Sequence, residues 1–219
     1  EFHSQHYLKG LKKMVLVGNF SQNEIDQFMD VFGSWASEQR TQFESKFENI
    51  KGYSHLEKKD AVQTAIRIGR HLFNKNHEDY IDFLILNTIV GDYFGSRLMK
   101  NIREDKGYTY GIGSMISEME ETGYFMIGTE VGKEVKDKAL AEIKYELDRL
   151  RTKLIPIEEL DLVKNYMLGQ LLKSADGPYS MMDLYLSVEQ FGLDLEFYNK
   201  IIDSINAVTP ERMKELANK

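Results

Sequence analysis

Arg103 and Tyr110 stand seven residues apart in the stretch NIREDKGYTYGIGS, residues 101–114. One is a guanidinium that stays charged at any working pH and presents a planar fork of N–H donors; the other ends in a phenolic O–H. Two such donors can hydrogen-bond a carbonyl or a carboxylate oxygen. The charged run carrying Arg103 stops at Gly107, and a tyrosine-rich alternation follows at once. This pattern predicts a helix capped at Gly107 and then a strand, so that a helix end and a strand start bring both side chains to one edge. The same spacing also suits an ordinary contact between a helix arginine and a strand tyrosine, with Tyr108 and Tyr110 packing on one strand face.

Other chemistry is sparse. The histidines are His3, His6, His55, His71 and His77, and His3 and His6 have ligand-like spacing but lie in the first residues of the chain, where order is commonly poor. His77 precedes Glu78 at an expected helix start without a second histidine at the interval of a zinc-binding helix, so it reads as a surface histidine beside a helix-capping acid. GDYFGS lacks the lysine of a phosphate loop, and Gly91 and Gly95 read as breaks between helices. No serine lies in a G-x-S-x-G elbow, and no cysteine occurs anywhere, which excludes disulfides, thiolate zinc sites and a cysteine nucleophile. No catalytic set and no metal ligands are assigned to this chain.

A net charge of −7, from 35 acidic and 28 basic residues, argues against a nucleic-acid partner. The longest apolar run, FLILNTIVG, is nine residues, about half of what a membrane helix needs, so membrane insertion is not expected. With 219 residues the chain can bury a proper core. Residues 1–12 read as an interdomain linker remnant and 13–219 as one domain of something longer or processed. A bacterial periplasm and a cytoplasm both suit the composition.

The elements that must position the pair follow from periodicity. KKMVLVGNF predicts a short strand, and the helix behind it starts at Ser21 with Glu24 three residues on, as in a capping box. Residues 37–60 read as a surface connection. AVQTAIRIG alternates as a half-buried strand; HEDYIDFLILNTIVGD is apolar nearly all round, as a buried helix is; SRLMKNIREDKG predicts a second helix. Tyr108, Tyr110, Ile112 and Ile116 predict a strand joined through EMEET to GYFMIGTEVG as a hairpin. Ala139, Leu140, Ile143, Leu147 and Leu150 mark the inner face of a long amphipathic helix, Pro156 takes the first position of the next, and helices close the chain, the last from Thr209. The order predicts an α+β fold of two layers, a mixed sheet with helices packed on one face.

GDYFGSRLMKNIREDKGYTYGIGS resembles the second-half signature of the pitrilysin/insulinase family of zinc peptidases, which includes the mitochondrial processing peptidase subunits. MVLVGNFSQNEIDQFMDVFGSW resembles that family's opening strand and helix, IPIEELDLVKNYMLGQLL its long helix after the sheet, and INAVTPERMKELANK its closing helix. The resemblance implies a LuxS/processing-peptidase-like metallohydrolase half in which Arg103 and Tyr110 bind peptide substrate. The family's zinc motif, His-x-x-Glu-His, is missing from this chain. The resemblance therefore implies a non-catalytic domain that works with a zinc-bearing homologous domain or subunit, zinc residing in that partner, with no activity expected of this chain alone. It also leaves room for a non-enzymatic peptide-binding or assembly subunit of the same fold. A substrate peptide could add as a strand along YTYGIGSMIS or at an edge near GYFMIG, where Gly111 and Gly113 allow close backbone approach.

Overall fold

A computed structural model describes residues 2–3, 13–34 and 51–219. Three strands form one sheet: β1 (Gln63–Leu72), β2 (Ile112–Met119) and β3 (Thr122–Gly132), in the order β1-β3-β2. β3 pairs antiparallel with both neighbours, so the described sheet is antiparallel throughout. The β2–β3 hairpin turns on Glu120 and Glu121, as the EMEET connection predicts.

Side-chain alternation sorts the sheet into two faces. Ile66, Thr129 and Ile112 lie opposite one another in register, as do Ile68, Ile127 and Ser114, and Arg70, Phe125 and Ile116. Ile66, Ile112, Ile127 and Val131 of this face are buried, whereas Arg67, Glu130 and Met115 of the other are exposed. Among the described residues helices cover the first face only, which gives the expected two-layer α+β arrangement, but with an antiparallel sheet in place of the expected mixed one, because both of its pairings, β1 with β3 and the β2–β3 hairpin, run antiparallel.

The central helix is α2 (Tyr80–Val90), whose residues from Ile85 to Val90 are all buried. It touches β2 on one side and three of the later helices on the others. These are α4 (Ile157–Ser174), α6 (Glu196–Ala207) and α7 (Pro210–Asn218). A segment apolar all round is stable only in such surroundings. α3 (Lys136–Thr152) packs on β3 and α7 with Ala139, Ile143 and Leu150 buried, and Leu140 and Leu147 beside them. α5 (Pro178–Glu189) lies against α4. Pro156 stands one position outside α4, at the N-cap with extended backbone. Thr209 caps α7 by accepting a hydrogen bond from the backbone N–H of Arg212 at 3.3 Å, with Pro210 as the first helical residue.

Two expectations are corrected here. Residues 13–20 form no strand; Val15 and Leu16 remain 40% and 37% exposed, because no described strand offers them a hydrogen-bonding ladder. α1 (Gln22–Phe32) does form behind them, with the Ser21 backbone N–H and hydroxyl both donating to the Glu24 carboxylate at 2.8 Å, yet it buries no residue. The second correction concerns the predicted strand from Tyr108, which begins only at Ile112. The linker expected at residues 1–12 lies almost wholly outside the described residues, as does much of the connection at 37–60.

Candidate functional site

Arg103 sits on a π-helix, Met99–Asp105, rather than on an ordinary α-helix. Leu98 and Ile102 are fully buried on its inner side and fix it to the core. Its polar side is fixed too: the Asn101 amide donates to Glu146 at 2.7 Å and to Glu142 at 3.1 Å, and Glu146 is itself held by Arg149 at 3.0 Å. Just ahead, Arg97 grips Glu159 at the start of α4 with two bonds of 2.7 and 2.8 Å. Such bidentate pairs add direction as well as energy.

The helix closes around Gly107, whose φ of +65° only glycine adopts without strain. The Gly107 N–H donates to the Arg103 carbonyl at 3.1 Å and the Tyr108 N–H to the Ile102 carbonyl at 3.0 Å. Each bond reaches one residue farther back than in the Schellman closure of an α-helix, as the wider π turn requires. The closure turns Tyr108 inward, where it packs against the main core.

Tyr110 goes the other way, with 93% of its surface exposed. The backbone on either side of it is nonetheless tied down. The Thr109 hydroxyl lies 2.7 Å from the Glu130 carbonyl, the Thr129 hydroxyl lies 3.0 Å from that of Thr109 and 2.9 Å from the Gly111 carbonyl, and the Gly111 N–H donates to Thr109 at 3.1 Å. A threonine network thus presents an exposed phenol from an anchored turn. Tyr108 and Tyr110 therefore do not share a packed strand face, because the chain reaches the ladder only after Gly111.

The Arg103 guanidinium lies 4.7 Å from the centre of the Phe94 ring, a cation–π contact that holds the charge at the surface. Tyr93 next to it tilts against Tyr166 at 4.9 Å, and burial, then the nearby Glu159 and Tyr166, push its phenol above the ordinary value, keeping it protonated at neutral pH. Phe94 and the threonines were not singled out by sequence, where GDYFGS reads only as a helix break; an aromatic between two breaks, a few residues ahead of an arginine, was the available signal.

β2 follows directly and is an edge strand, whereas β3 is central. GYFMIG therefore cannot receive an added strand, since both of its sides are already paired. On β2 the Ser114 N–H points away from β3 to the Gly91 carbonyl at 3.2 Å. Alternation then directs the backbone groups of Ile116 and Glu118 outward as well. Gly91 is required for this contact, since a Cβ there would sit 2.5 Å from the Ser114 nitrogen.

His3 is exposed, and of the described histidines only His71 and His77 line a common cavity. His6 lies outside the described residues, His55 is exposed, His71 contacts the Thr122 hydroxyl, and His77 stacks on Phe73 at 4.0 Å while its Nδ1 accepts from the Asp79 N–H at 3.1 Å. His77 thus ties the turn that leads into α2 through its own ring. Among the described residues no three His, Asp or Glu side chains are grouped to hold a metal ion.

With this arrangement in view, the sequence profile of the peptidase M16 inactive domain matches residues 1–167. The chain belongs to the M16 peptidase family. Within M16 it is 28% identical over 202 residues to the uncharacterised zinc protease YmxG of Bacillus subtilis strain 168, covering 92% of this chain and 49% of that protein. It is 27% identical over 173 residues to an uncharacterised zinc protease of Rickettsia bellii, covering 78% of this chain and 41% of that one. The chain thus spans about half the length of the curated relatives it matches. Among solved structures, a peptidase M16 inactive domain from Pseudomonas fluorescens superposes with a TM-score of 0.66 at 24% identity, over 72% of this chain and 38% of that one. A protease from Helicobacter pylori superposes with a TM-score of 0.77 at 14% identity, over 92% of this chain and 50% of that one. At these identities the superpositions speak to fold, and the fold is that of an M16 inactive domain.

Proposed function

We propose that this chain is the zinc-free half of an M16 zinc endopeptidase, with residues 13–219 forming one domain that binds substrate for a zinc-bearing homologous domain or subunit. The partner's zinc would supply activation of the attacking water, and Arg103 and Tyr110 would donate to the substrate carbonyl and to the negative charge that develops on it. The observation that carries this reading is the exposed Tyr110 phenol on an anchored turn, directly ahead of the edge strand β2 and one capped turn beyond Arg103. A peptide lying along β2 would meet main-chain groups first and the two donors at its end. Exposure favours this reading over a packing role, because a phenol that is 93% exposed stabilises little in the domain itself.

The test is kinetic. In the complete enzyme, Arg103→Ala or Tyr110→Phe should lower kcat by about a hundredfold, the scale of one lost oxyanion donor, with zinc content unchanged. Unchanged turnover in both variants would remove the proposed role. The alternative, a peptide-binding or assembly subunit without proteolysis, is favoured by the absence of any metal cluster among the described residues only if the natural partner also lacks zinc.

A further inference from the structure

At the other end of the sheet, a cavity of about 610 Å³ opens between the last residues of β1, the start of β3 and helices α2, α3 and α7. That volume is in the range of small-molecule sites. Phe83, Leu86, Asn87 and Val90 of α2 line it at i, i+3, i+4 and i+7, and Leu147, Leu150 and Arg151 of α3 line it at i, i+3 and i+4. Both helices therefore turn one whole stripe toward it. The floor is aromatic: Phe73 meets Phe83 edge-on at 5.8 Å, and Phe83 meets Phe125 edge-on at 5.6 Å.

Three polar side chains interrupt this apolar lining: Arg70 and Arg151, both exposed to solvent, and the buried Asn87. Arg70 belongs to the helix-covered face of the sheet, between Ile68 and Leu72 and opposite Phe125, where alternation calls for another aliphatic residue. Exposed to solvent, it makes one long hydrogen bond among the described residues, 3.4 Å to the His71 carbonyl, and no described carboxylate pairs with it. Arg151 extends the apolar stripe of α3, and its nearest carboxylate, Asp148, is at the 4.0 Å limit of an ion pair. Asn87 is 2% exposed, its side-chain amide makes no hydrogen bond to any described residue, and its Oδ1 is enclosed without a donor. A buried amide left in that state is destabilising. Of the acids at the mouth, Asp79 is already held by Arg212 and Lys219, and Glu121 is exposed.

We propose that this cavity binds an aromatic carboxylate bearing a hydroxyl at the far end of its ring. The ring would stack edge-to-face within the phenylalanines, the carboxylate would pair with Arg70 and Arg151, and the hydroxyl would meet the Asn87 amide. A hydroxyl both donates and accepts, so it answers the amide whichever end the soft side-chain torsion turns toward it. Two sources share this chemistry: the C-terminal tyrosine of a peptide, and a free hydroxyaromatic acid. The site is separate from Arg103 and Tyr110 and does not rest on their role. Ile112 and Met119 mark the two ends of β2, and a strand of that length spans roughly 23 Å.

The experiment is calorimetric titration of the full chain with N-acetyltyrosine, its amide, N-acetylphenylalanine, 3-(4-hydroxyphenyl)propionate and a hexapeptide ending in tyrosine. N-acetyltyrosine should bind about tenfold tighter than its amide and than the phenylalanine analogue, on the scale of one charged or one buried hydrogen bond. Arg70→Gln should erase the preference for acid over amide, and Asn87→Leu the preference for tyrosine over phenylalanine. Asn87→Leu should also raise Tm, since it removes the unpaired amide. If a variant fails to fold, the ligand series on the unaltered chain still decides. Binding of the hexapeptide assigns the site to peptide C-termini; binding of the two small hydroxyaromatic acids alone assigns it to free acids; either supports the site. Absence of saturable binding up to roughly millimolar ligand, or equal binding of acid and amide to the unaltered chain, overturns it.

Discussion

Asp79 shows how much one side chain can fasten. It lies at the start of α2, 5% exposed, and receives Arg212 at 2.6 Å and Lys219 at 2.8 Å, while Arg212 also reaches Asp82 at 2.6 Å. Burial pushes the Asp79 carboxyl upward, but the hydrogen bonds and charges of Lys219 and Arg212 outweigh it and hold the carboxyl below the ordinary carboxylate range. Because the folded value is lowered, the contribution to stability is full above the unfolded value of about 4 and is lost as pH falls through the folded one. Asp79→Asn should therefore lower unfolding free energy by about 2 kcal/mol at pH 7. Thermal unfolding at pH 7 and pH 3 checks this: the gap between the two proteins should shrink at the lower pH, and a gap independent of pH would contradict the linkage. Sequence reading passed over Asp79 because its partners lie more than a hundred residues away, at separations of 133 and 140. Arg103 and Tyr110 could be proposed as a pair from sequence because their link is local, a capped turn within one stretch.

Among elements, the turn that joins the π-helix to β2 decides where the two candidate donors point. Gly107→Ala forces a side chain into a left-handed conformation, which should destabilise by about 1–2 kcal/mol; a denaturant midpoint that falls with unchanged slope checks it. Gly91→Ala should act differently, by driving a Cβ into the Ser114 backbone and loosening β2 from α2; faster hydrogen exchange at Ser114 and its neighbours on β2, with α3 amides unchanged, is the expected signature. β1, the hairpin, α3 and the later helices were readable from periodicity because each buries one defined face, and α2 because it is apolar nearly all round and buried nearly all round. The residues 13–20 were not, since alternation says that a segment can pair but not whether a partner strand is within reach. Tyr108 to Gly111 failed for a related reason: the alternation there is real, but threonine hydroxyls rather than a neighbouring strand take the backbone groups. The π geometry of Met99–Asp105 has no periodic signature in so short a run, as the buried Ile102 and the buried N-cap Leu98 are spaced as in an α-helix.

At the scale of the molecule, this M16 inactive domain has a sheet covered by helices and no grouped metal ligands among its described residues. The fold was readable almost throughout, through several loose motifs in one order, whereas the cavity beneath α7 was not, because its lining is drawn from five separate elements. The central claim is that this domain serves a zinc-bearing partner. It is tested most directly by measuring peptide cleavage and bound zinc for this chain alone, and for this chain joined to or co-purified with its natural partner, each with and without Arg103→Ala. The account predicts zinc and chelator-sensitive cleavage only in the completed assembly, with zinc retained and cleavage reduced about a hundredfold by Arg103→Ala. Cleavage by the chain alone, or an assembly whose full activity survives the substitution, would contradict it.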